Sequence, residues 1–324
     1  MAGITTQTID HMIRSDLWSR ELKEIFWADL QAIKYVNWLT DFGDGDTLHI
    51  PSIGTAQILD FEEGEAIRYT DFATGDFTFQ ISQYKGSGMY VSDKFKQDSY
   101  YADQLIARIN PRQNRALQEE MERQVLNIGV SGQTSGNLNT WNGAPHRWVA
   151  QGTNATLTPQ DFARAKYSLK KAFVPMTNLV AIVDPSVEFQ LSTLTNLVNL
   201  SYNPKWEGII RDGFSTGMQF QFNIYGFDVY TSEFLPNGLT ETIAGSPGST
   251  TSVSGDGVAN IFFSAAGGDA NPFIGAIRQA PRWESERNKD LQRDEYVMTT
   301  RYGFGFYRPE NFVTVLSDVS AALA

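Results

Sequence analysis

Three stretches of this sequence combine residue types at spacings that could support chemistry. The first, Gly213-Phe-Ser-Thr-Gly217, matches the G-x-S-x-G pattern, in which a strained strand-to-helix turn exposes a serine nucleophile. The histidine of that hydrolase triad follows the serine in sequence, whereas the histidines here, His11, His49 and His146, all precede it. The pattern therefore indicates a loop or hairpin and not a hydrolase site.

The second stretch, Asp41-Phe-Gly-Asp-Gly-Asp46, resembles both a kinase magnesium motif and an acidic calcium loop. No glycine-rich loop with a strand lysine lies upstream, and a calcium loop needs a glutamate near position 52, which is Ser52. The histidines lack metal-ligand spacing, and no phosphate-binding or dinucleotide-binding glycine pattern occurs. We therefore predict a turn into a strand at Thr47, with neither a metal nor a cofactor.

The third stretch is a group of carboxylates in a very polar segment: Asp60, Glu62, Glu63, Glu65 and Asp71. Two such carboxylates would suit a carbohydrate-active enzyme, a class that the many aromatic residues also suggest, provided that a concave site holds them at the proper separation. Shifted carboxyl pKa values need burial or a close like charge, and this segment is too polar to be core. We predict a solvated or partner-facing role and keep the enzyme as a secondary alternative.

Composition narrows the class of protein further. The chain has 324 residues, of which 41% are hydrophobic and 13% aromatic, enough for a sizeable core and large interfaces. Its net charge of -11 excludes the usual kind of phosphate-binding polycation. The absence of cysteine removes disulfides and thiolate chemistry and fits folding in a reducing cytoplasm, and no run of about 18 apolar residues predicts a membrane span.

Two kinds of periodicity then locate the elements that must position these residues. Alternating apolar and polar residues predict strands at 47–51 and 77–81, with Asp60–Asp71 at the tip of a two-stranded excursion. A helical stripe covers 93–128, and Pro111 inside it predicts a kink or a division near Asn110.

The second half reads as an α/β unit followed by strands. Thr158-Pro-Gln-Asp161 has the residues of a helix start, and the predicted helix runs through Lys171. Asn178–Asp184 is a continuous apolar run that predicts a buried central strand, followed by a helix over 186–197. Residues 258–264 and most of 273–316 are strand-like, so the fold class is α+β.

The order of these elements, more than any single motif, resembles a known family. An N-terminal arm precedes GDTLHIPSIG, then an acidic strand-loop-strand ending FTFQISQYKGSGMYVSD, a long helix, an α/β unit around NLVAIVDP, the strand YGFDVYTSEFLP and a terminal YGFGFYRPENFVTVL. This order resembles the major capsid proteins of tailed bacteriophages with the Hong Kong 97-like fold, over nearly the whole chain from about Asp16 to Leu316.

That resemblance implies a domain plan. Residues 1–44 would be the N-arm, 45–92 the extended loop, a two-stranded β-hairpin that overlaps a neighbouring subunit, and 93–128 the spine helix. The peripheral domain would comprise 93–154 and 271–305, and the axial domain 155–270 and 306–324.

It also implies a function. The chain would be a structural head protein and not an enzyme, with copies forming the pentamers and hexamers of an icosahedral shell around double-stranded DNA, without sequence-specific DNA binding. Expected partners are other copies, a separate scaffolding protein, a portal protein at one vertex and a decoration protein, with no membrane. The shell would assemble in the bacterial host cytoplasm and reside in the virion, and an encapsulin-type nanocompartment shell, which shares the fold, is the main alternative.

Charge predicts how the extended loop meets its neighbour. Residues 45–84 contain seven acids and only one base, Arg68, so we expect Asp60, Glu62, Glu63, Glu65 and Asp71 to contact a basic dock. The richest basic candidates lie in one later segment: Arg278, Arg282, Arg287, Lys289 and Arg293.

Two further expectations concern how the shell is built. Some family members crosslink a lysine of the extended loop to a neighbour's asparagine, but no lysine lies between Lys34 and Lys85, which predicts a shell without covalent crosslinks. The family motifs begin within about twenty residues of Met1, so we expect scaffolding from a separate protein.

Overall fold

A computed structural model describes residues 30–39, 47–54, 58–60, 66, 74–99, 102–193 and 220–323. Its strands are β1 Val36–Leu39, β2 Thr47–Ile53, β3 Thr74–Gln80, β4 Gln83–Ser92, β5 Arg147–Val149, β6 Leu179–Val183, β7 Phe220–Ile224, β8 Phe227–Thr231, β9 Leu239–Thr242, β10 Ser252–Ser264, β11 Phe273–Asn288, β12 Arg293–Phe306 and β13 Val313–Asp318. Its helices are α1 Asp93–Asp98, α2 Ala102–Ser131, α3 Pro159–Lys171, α4 Pro185–Thr193 and α5 Val319–Leu323. The predicted α+β class is confirmed.

Among the described residues the strands form three sheets. Seven strands make the largest, in the order β5-β13-β10-β6-β8-β7 with β9 also paired to β10. Four strands make the second, in the order β1-β11-β12-β4, and β2 pairs with β3 alone. Both predicted strands of the excursion are therefore present, joined antiparallel from Thr47↔Gln80 to Ile53↔Thr74.

The core of the seven-stranded sheet follows directly from the sequence pattern. Every residue of β6 is buried, as the apolar run predicts for a central strand, and β6 runs parallel to β8 and antiparallel to β10. Helix α3 begins as predicted, because the Thr158 and Asp161 side chains form a capping box behind Pro159. Phe162 of α3 packs edge-to-face on Phe262 of β10, with ring centroids 5.1 Å apart.

The long helix is divided, but not where the sequence analysis expected. The first segment, α1, ends at Asp98 and the second begins at Ala102, whereas α2 continues without interruption through Pro111, so a two-part helix at Asn110 is wrong. Pro111 and Ala107 both lie on the exposed side of α2, where water can serve the carbonyl that the missing N–H leaves free. A smaller bend at Pro111 stays a prediction.

The four-stranded sheet is covered differently on its two faces. On one face α2 packs against β12, where Tyr296, Met298 and Tyr302 are buried. On the other face, near the end of β12, the base of the β2–β3 hairpin packs against the sheet through the buried Phe79 side chain. Gly305 makes this packing possible, since an added Cβ would lie only 2.8 Å from the Phe79 ring.

A buried ion pair joins α2 to the seven-stranded sheet. Arg147 of β5 donates to both carboxylate oxygens of Glu241 in β9, at 2.9 and 2.6 Å, and also to the Val130 carbonyl in the last turn of α2. The side chains of the pair are only 4% and 6% exposed. A bidentate pair of this kind fixes the helix end relative to two strands.

Candidate intersubunit contact surfaces

The β2–β3 hairpin has an anchored base and an exposed far end. At the base, Phe77 packs edge-to-face on Tyr307 with ring centroids 5.2 Å apart. Beyond β2 the side chain of Ile58 is 98% exposed, and Leu59 and Asp60 are exposed beside it. A fully exposed isoleucine gives the subunit no burial energy, so the hairpin presents an apolar and acidic end to other molecules.

Of the acidic residues predicted for the loop surface, one lies among the described residues. Asp60 is exposed, as a contact residue must be. The remaining members of the predicted loop surface lie outside the described residues: Glu62, Glu63, Glu65, Arg68 and Asp71. The G-x-S-x-G pattern at 213–217 and most of the predicted N-arm lie outside them as well.

The predicted basic residues do lie together, on the ribbon formed by β11, β12 and their connecting turn. Arg278, Arg282, Arg287 and Lys289 are exposed and Arg293 is half-buried. By strand register, Arg282 and Arg293 lie on one face of the ribbon and Arg287 lies on the other, and we call the five residues together the ribbon surface.

Acids within the same subunit already neutralise the ribbon surface. Three arginines form ion pairs of 2.7 Å: Arg282 with Glu284, Arg287 with Asp93, and Arg293 with Glu295. Between positions 278 and 295 there are five basic and five acidic residues. A neighbour's carboxylate would therefore exchange partners with acids already in place and would not meet bare cations.

These pairs also shift the titration of their members. Hydrogen bonds from Arg293 and Asn288 hold the pKa of the Glu295 carboxyl below its usual range. On the other face of the ribbon, a hydrogen bond to Asp294 raises the pKa of the Lys96 ammonium. Both shifts favour the charged forms of Glu295 and Lys96.

Beside the ribbon, β4 carries a feature that sequence reasoning missed. Tyr84 and Tyr90 are exposed at either end of the strand, and Gly86 and Gly88 leave a flat floor between them. The Arg293 guanidinium lies over the Tyr90 ring, 4.7 Å from its centroid. The signal was available in the sequence as a period-two Tyr-x-Gly-x-Gly-x-Tyr pattern.

Lys85, the first lysine after Lys34 and near the end of the 45–92 segment, points to the opposite face. Its Nζ lies 3.3 Å from Oε1 of Glu120 on α2. Partial burial alone would raise the pKa of Glu120, but hydrogen bonds from Gln124 and Lys85 outweigh it and the pKa lies below its usual range. The ion pair therefore holds the Lys85 side chain against α2.

The described residues contain no group of three or more histidine, aspartate or glutamate side chains placed to hold a metal ion. Among their helices, none is both long and apolar enough to cross a membrane.

Comparison with known proteins places these surfaces in a family. Residues 75–315 match the family described as "Phage capsid protein". No curated protein matches the chain.

Solved structures share the fold over nearly their whole length. A structure from Mycobacterium phage Che8 has a TM-score of 0.68 at 18% identity, covering 94% of this chain and 97% of that one. The capsid structure of the cyanophage P-SCSP1u has a TM-score of 0.68 at 14% identity, covering 95% and 93%. The capsid asymmetric unit of cyanophage Pam1 has a TM-score of 0.67 at 13% identity, covering 98% and 99%.

Proposed function

The chain belongs to the phage capsid protein family and is a structural major capsid protein, and from that premise we propose that it forms the pentamers and hexamers of an icosahedral head enclosing double-stranded DNA. The observation that carries this proposal is the family match over 75–315, together with a fold shared along the full length of phage capsid structures. Family membership also makes the protein a component of the virion and not an enzyme.

Negative-stain microscopy of the expressed chain, alone and with the neighbouring genes of its genome, tests the proposal. We expect closed shells with one distinct portal vertex and DNA inside mature particles. Small shells that enclose an enzyme and lack a portal vertex would instead identify a nanocompartment.

The two larger sheets suggest how the chain divides into domains. We assign the four-stranded sheet with α2 to the peripheral domain and the seven-stranded sheet with α3 and α4 to the axial domain. Strand β5 pairs with β13, so the axial domain would begin near residue 144 instead of 155. Strand β1 pairs with β11, so the N-arm would end in the peripheral sheet.

We further propose that the acidic end of the extended loop contacts the ribbon surface of a neighbouring copy. Exposure of both surfaces and the apolar residues beside them, Ile58 on the loop and the β4 tyrosines on the ribbon side, support this contact. The basic residues already form ion pairs within their own subunit. We therefore expect the contact to fix the register between neighbouring subunits more than it raises their affinity. Arg282→Glu or Arg287→Glu should block shell assembly and leave the subunit folded.

A charge swap separates a neighbour's contact from the cis pair. In Arg282→Glu with Glu284→Arg, the local pair is kept in reverse and the local net charge is unchanged. If Arg282 meets a neighbour's acid, the swap does not restore assembly. Normal shells from both single variants would contradict the contact.

We propose a shell without covalent crosslinks between subunits, because no lysine lies between Lys34 and Lys85 and Lys85 itself is paired with Glu120 of the same subunit. Mature particles should give a single band on denaturing gels, and a ladder of multimers would refute this.

A scaffolding protein, a portal protein and a decoration protein are proposed partners, with assembly in the host cytoplasm. Shells of correct size from the chain alone would count against the scaffold.

A further inference from the structure

Helix α3 carries partly or fully exposed cations that have no acidic partner among the described residues. Its buried side holds Phe162, Ala165 and Leu169, and its acid, Asp161, is buried, where it accepts from Trp148. The rest of the helix surface carries four bases within eight residues: Arg164, Lys166, Lys170 and Lys171. Among the described residues none of these four forms an ion pair, in a chain whose net charge is -11. The helix C-terminus favours nearby cations at Lys170 and Lys171, but it does not explain the other two.

Exposed aromatic residues lie on α3 and in the segments beside it, and hydrogen bonds join those segments to the helix. Tyr167 lies on α3 itself and Phe173 directly follows it, 86% exposed. Lys166 Nζ donates to the Tyr225 carbonyl at 2.7 Å, which holds that exposed ring beside the helix. On the opposite flank, Asn142 donates to the Lys171 carbonyl at 3.0 Å, which places the exposed Trp141 near the helix end.

Phe173 occupies a position that the subunit itself would fill better with glycine. The Phe173 N–H bonds the Lys170 carbonyl at 3.2 Å and the Val174 N–H bonds the Leu169 carbonyl at 3.1 Å, the pattern of a Schellman motif. The motif requires a left-handed residue, and Phe173 has φ 59°, which costs a bulky side chain more than glycine or asparagine.

Tyr225, in the β7–β8 turn, is a second exposed aromatic residue with a left-handed backbone. Tyr225 and Gly226 have φ of 51° and 93°, as in a type I′ turn, where asparagine is preferred at the first position. Both rings therefore occupy left-handed positions that favour glycine or asparagine, and both remain exposed in the subunit.

We propose that this α3 surface, defined by Arg164, Lys166, Tyr167, Lys170, Lys171 and Phe173, binds an acidic surface of a second copy of the chain in the shell. Charge complementarity favours that occupant, because four uncompensated cations face copies that each carry a net charge of -11. Duplex DNA would use the cations but leave the rings in water, whereas a protein surface buries both. The inference rests on the capsid function, which makes other copies the neighbours of every subunit.

Phe173→Gly tests the inference because its effects on the subunit and on the shell have opposite signs. The unassembled variant should have an unfolding midpoint unchanged or raised by roughly 1–3 °C, since glycine fits the left-handed position. Its yield of closed shells should fall at least about tenfold, as expected when a buried anchor ring is lost. Phe173→Tyr, which keeps the ring, is the matched control and should assemble normally.

Lys170→Glu with Lys171→Glu tests the charge, with Lys170→Gln and Lys171→Gln as the milder pair. Assembly should fall most for glutamate and less for glutamine, with the subunit folded in each. Wild-type shell yield from Phe173→Gly and from the glutamate pair would overturn the inference, and so would normal shells with reduced DNA content, which would identify DNA as the occupant. Failure of the unsubstituted chain to form shells in the same preparation would instead contradict the proposed capsid function.

Discussion

Two arginine–glutamate pairs of almost equal length lie in contrasting regions of this subunit. Arg147 and Glu241 meet at 2.6 Å at the junction of α2 with the seven-stranded sheet, where both side chains are buried. Arg282 and Glu284 meet at 2.7 Å on the ribbon surface, with side chains 70% and 54% exposed. The junction pair also bonds the Val130 carbonyl and the Gly136 N–H, whereas the ribbon pair is surrounded by solvent.

The contrast shows that distance alone does not determine what an ion pair contributes. A buried pair that loses one partner leaves a charge in a poorly solvated site, while an exposed pair returns both charges to water. The junction pair therefore constrains the fold, and the ribbon pair is free to exchange partners with another subunit.

Removing the buried arginine should have the largest effect. Arg147→Met leaves the Glu241 carboxylate buried without its partner, and we expect a loss of about 3–5 kcal/mol in the free energy of unfolding. Denaturant titration of the unassembled subunit measures it. The double variant Arg147→Met with Glu241→Leu removes both charges and should recover most of the loss; equal loss in both variants would contradict this account.

Acid should weaken the junction before it affects the ribbon. Burial lowers the pKa of His146, next to Arg147, below its ordinary value of 6.5, so the unfolded chain binds the proton more readily. The contribution of neutral His146 to the free energy of unfolding is complete above pH 6.5. It declines as the pH falls below 6.5, by up to about 1.4 kcal/mol per pH unit.

Unfolding midpoints measured between pH 7.5 and 5.5 test this prediction. The unsubstituted subunit should lose more stability across that range than His146→Gln, which does not titrate. Glu241 behaves similarly at lower pH: burial alone would raise its pKa, but the hydrogen bonds from Arg147 and the Gly136 N–H, together with the Arg147 charge, outweigh burial and lower it. Its contribution is therefore lost only below about pH 4.5, the ordinary value. Equal pH dependence in the two proteins would rule out His146.

The ribbon itself passes from exposed to buried along its length, and glycine substitutions should detect the change. At Gly305 an added Cβ would lie 2.8 Å from Phe79 and 2.9 Å from Ile274, so Gly305→Ala should cost about 1–3 kcal/mol in the free energy of unfolding. At Gly88 in β4 the nearest atom would be 3.9 Å away, so Gly88→Ala is the matched control and should be tolerated. Similar losses at both positions would mean that the hairpin base is not seated as described.

The smallest effect on subunit stability should come from the ribbon pair. Arg282→Ala should change the free energy of unfolding by at most about 0.5 kcal/mol, because both charges are solvated before and after. The same denaturant titration used for Arg147→Met gives a direct ratio between the two sites. A loss at Arg282 as large as at Arg147 would remove the distinction between buried and exposed pairs.

Local signals in the sequence predicted several elements well. Residues Thr158, Pro159 and Asp161 predicted the start of α3, and the apolar run predicted β6, because capping and complete burial leave direct marks on residue choice. The helix division was misplaced because Pro111 lies on an exposed helix face, where a missing hydrogen bond is tolerated.

For the basic residues of the ribbon, the sequence showed that they cluster but not which acids they pair with. Sequence clustering grouped the basic residues of the ribbon, but Arg287 is paired with Asp93, which is 194 residues away, and no spacing rule predicts such a partner. The α3 surface was missed for a related reason: Phe173 reads as an ordinary apolar residue until its left-handed backbone and its exposure are known.

By itself, the sequence determined the α+β class, the paired strands of the excursion and the order of elements that resembles phage capsid proteins. These depend on periodicity and capping, which act over a few residues. Only the tertiary structure decided which charges are buried, which are neutralised within the subunit and which remain for a neighbour. The physical reason is that an ion pair's free energy depends on solvent exclusion and on partners brought together from distant parts of the chain, as Arg147 and Glu241 are across 94 residues.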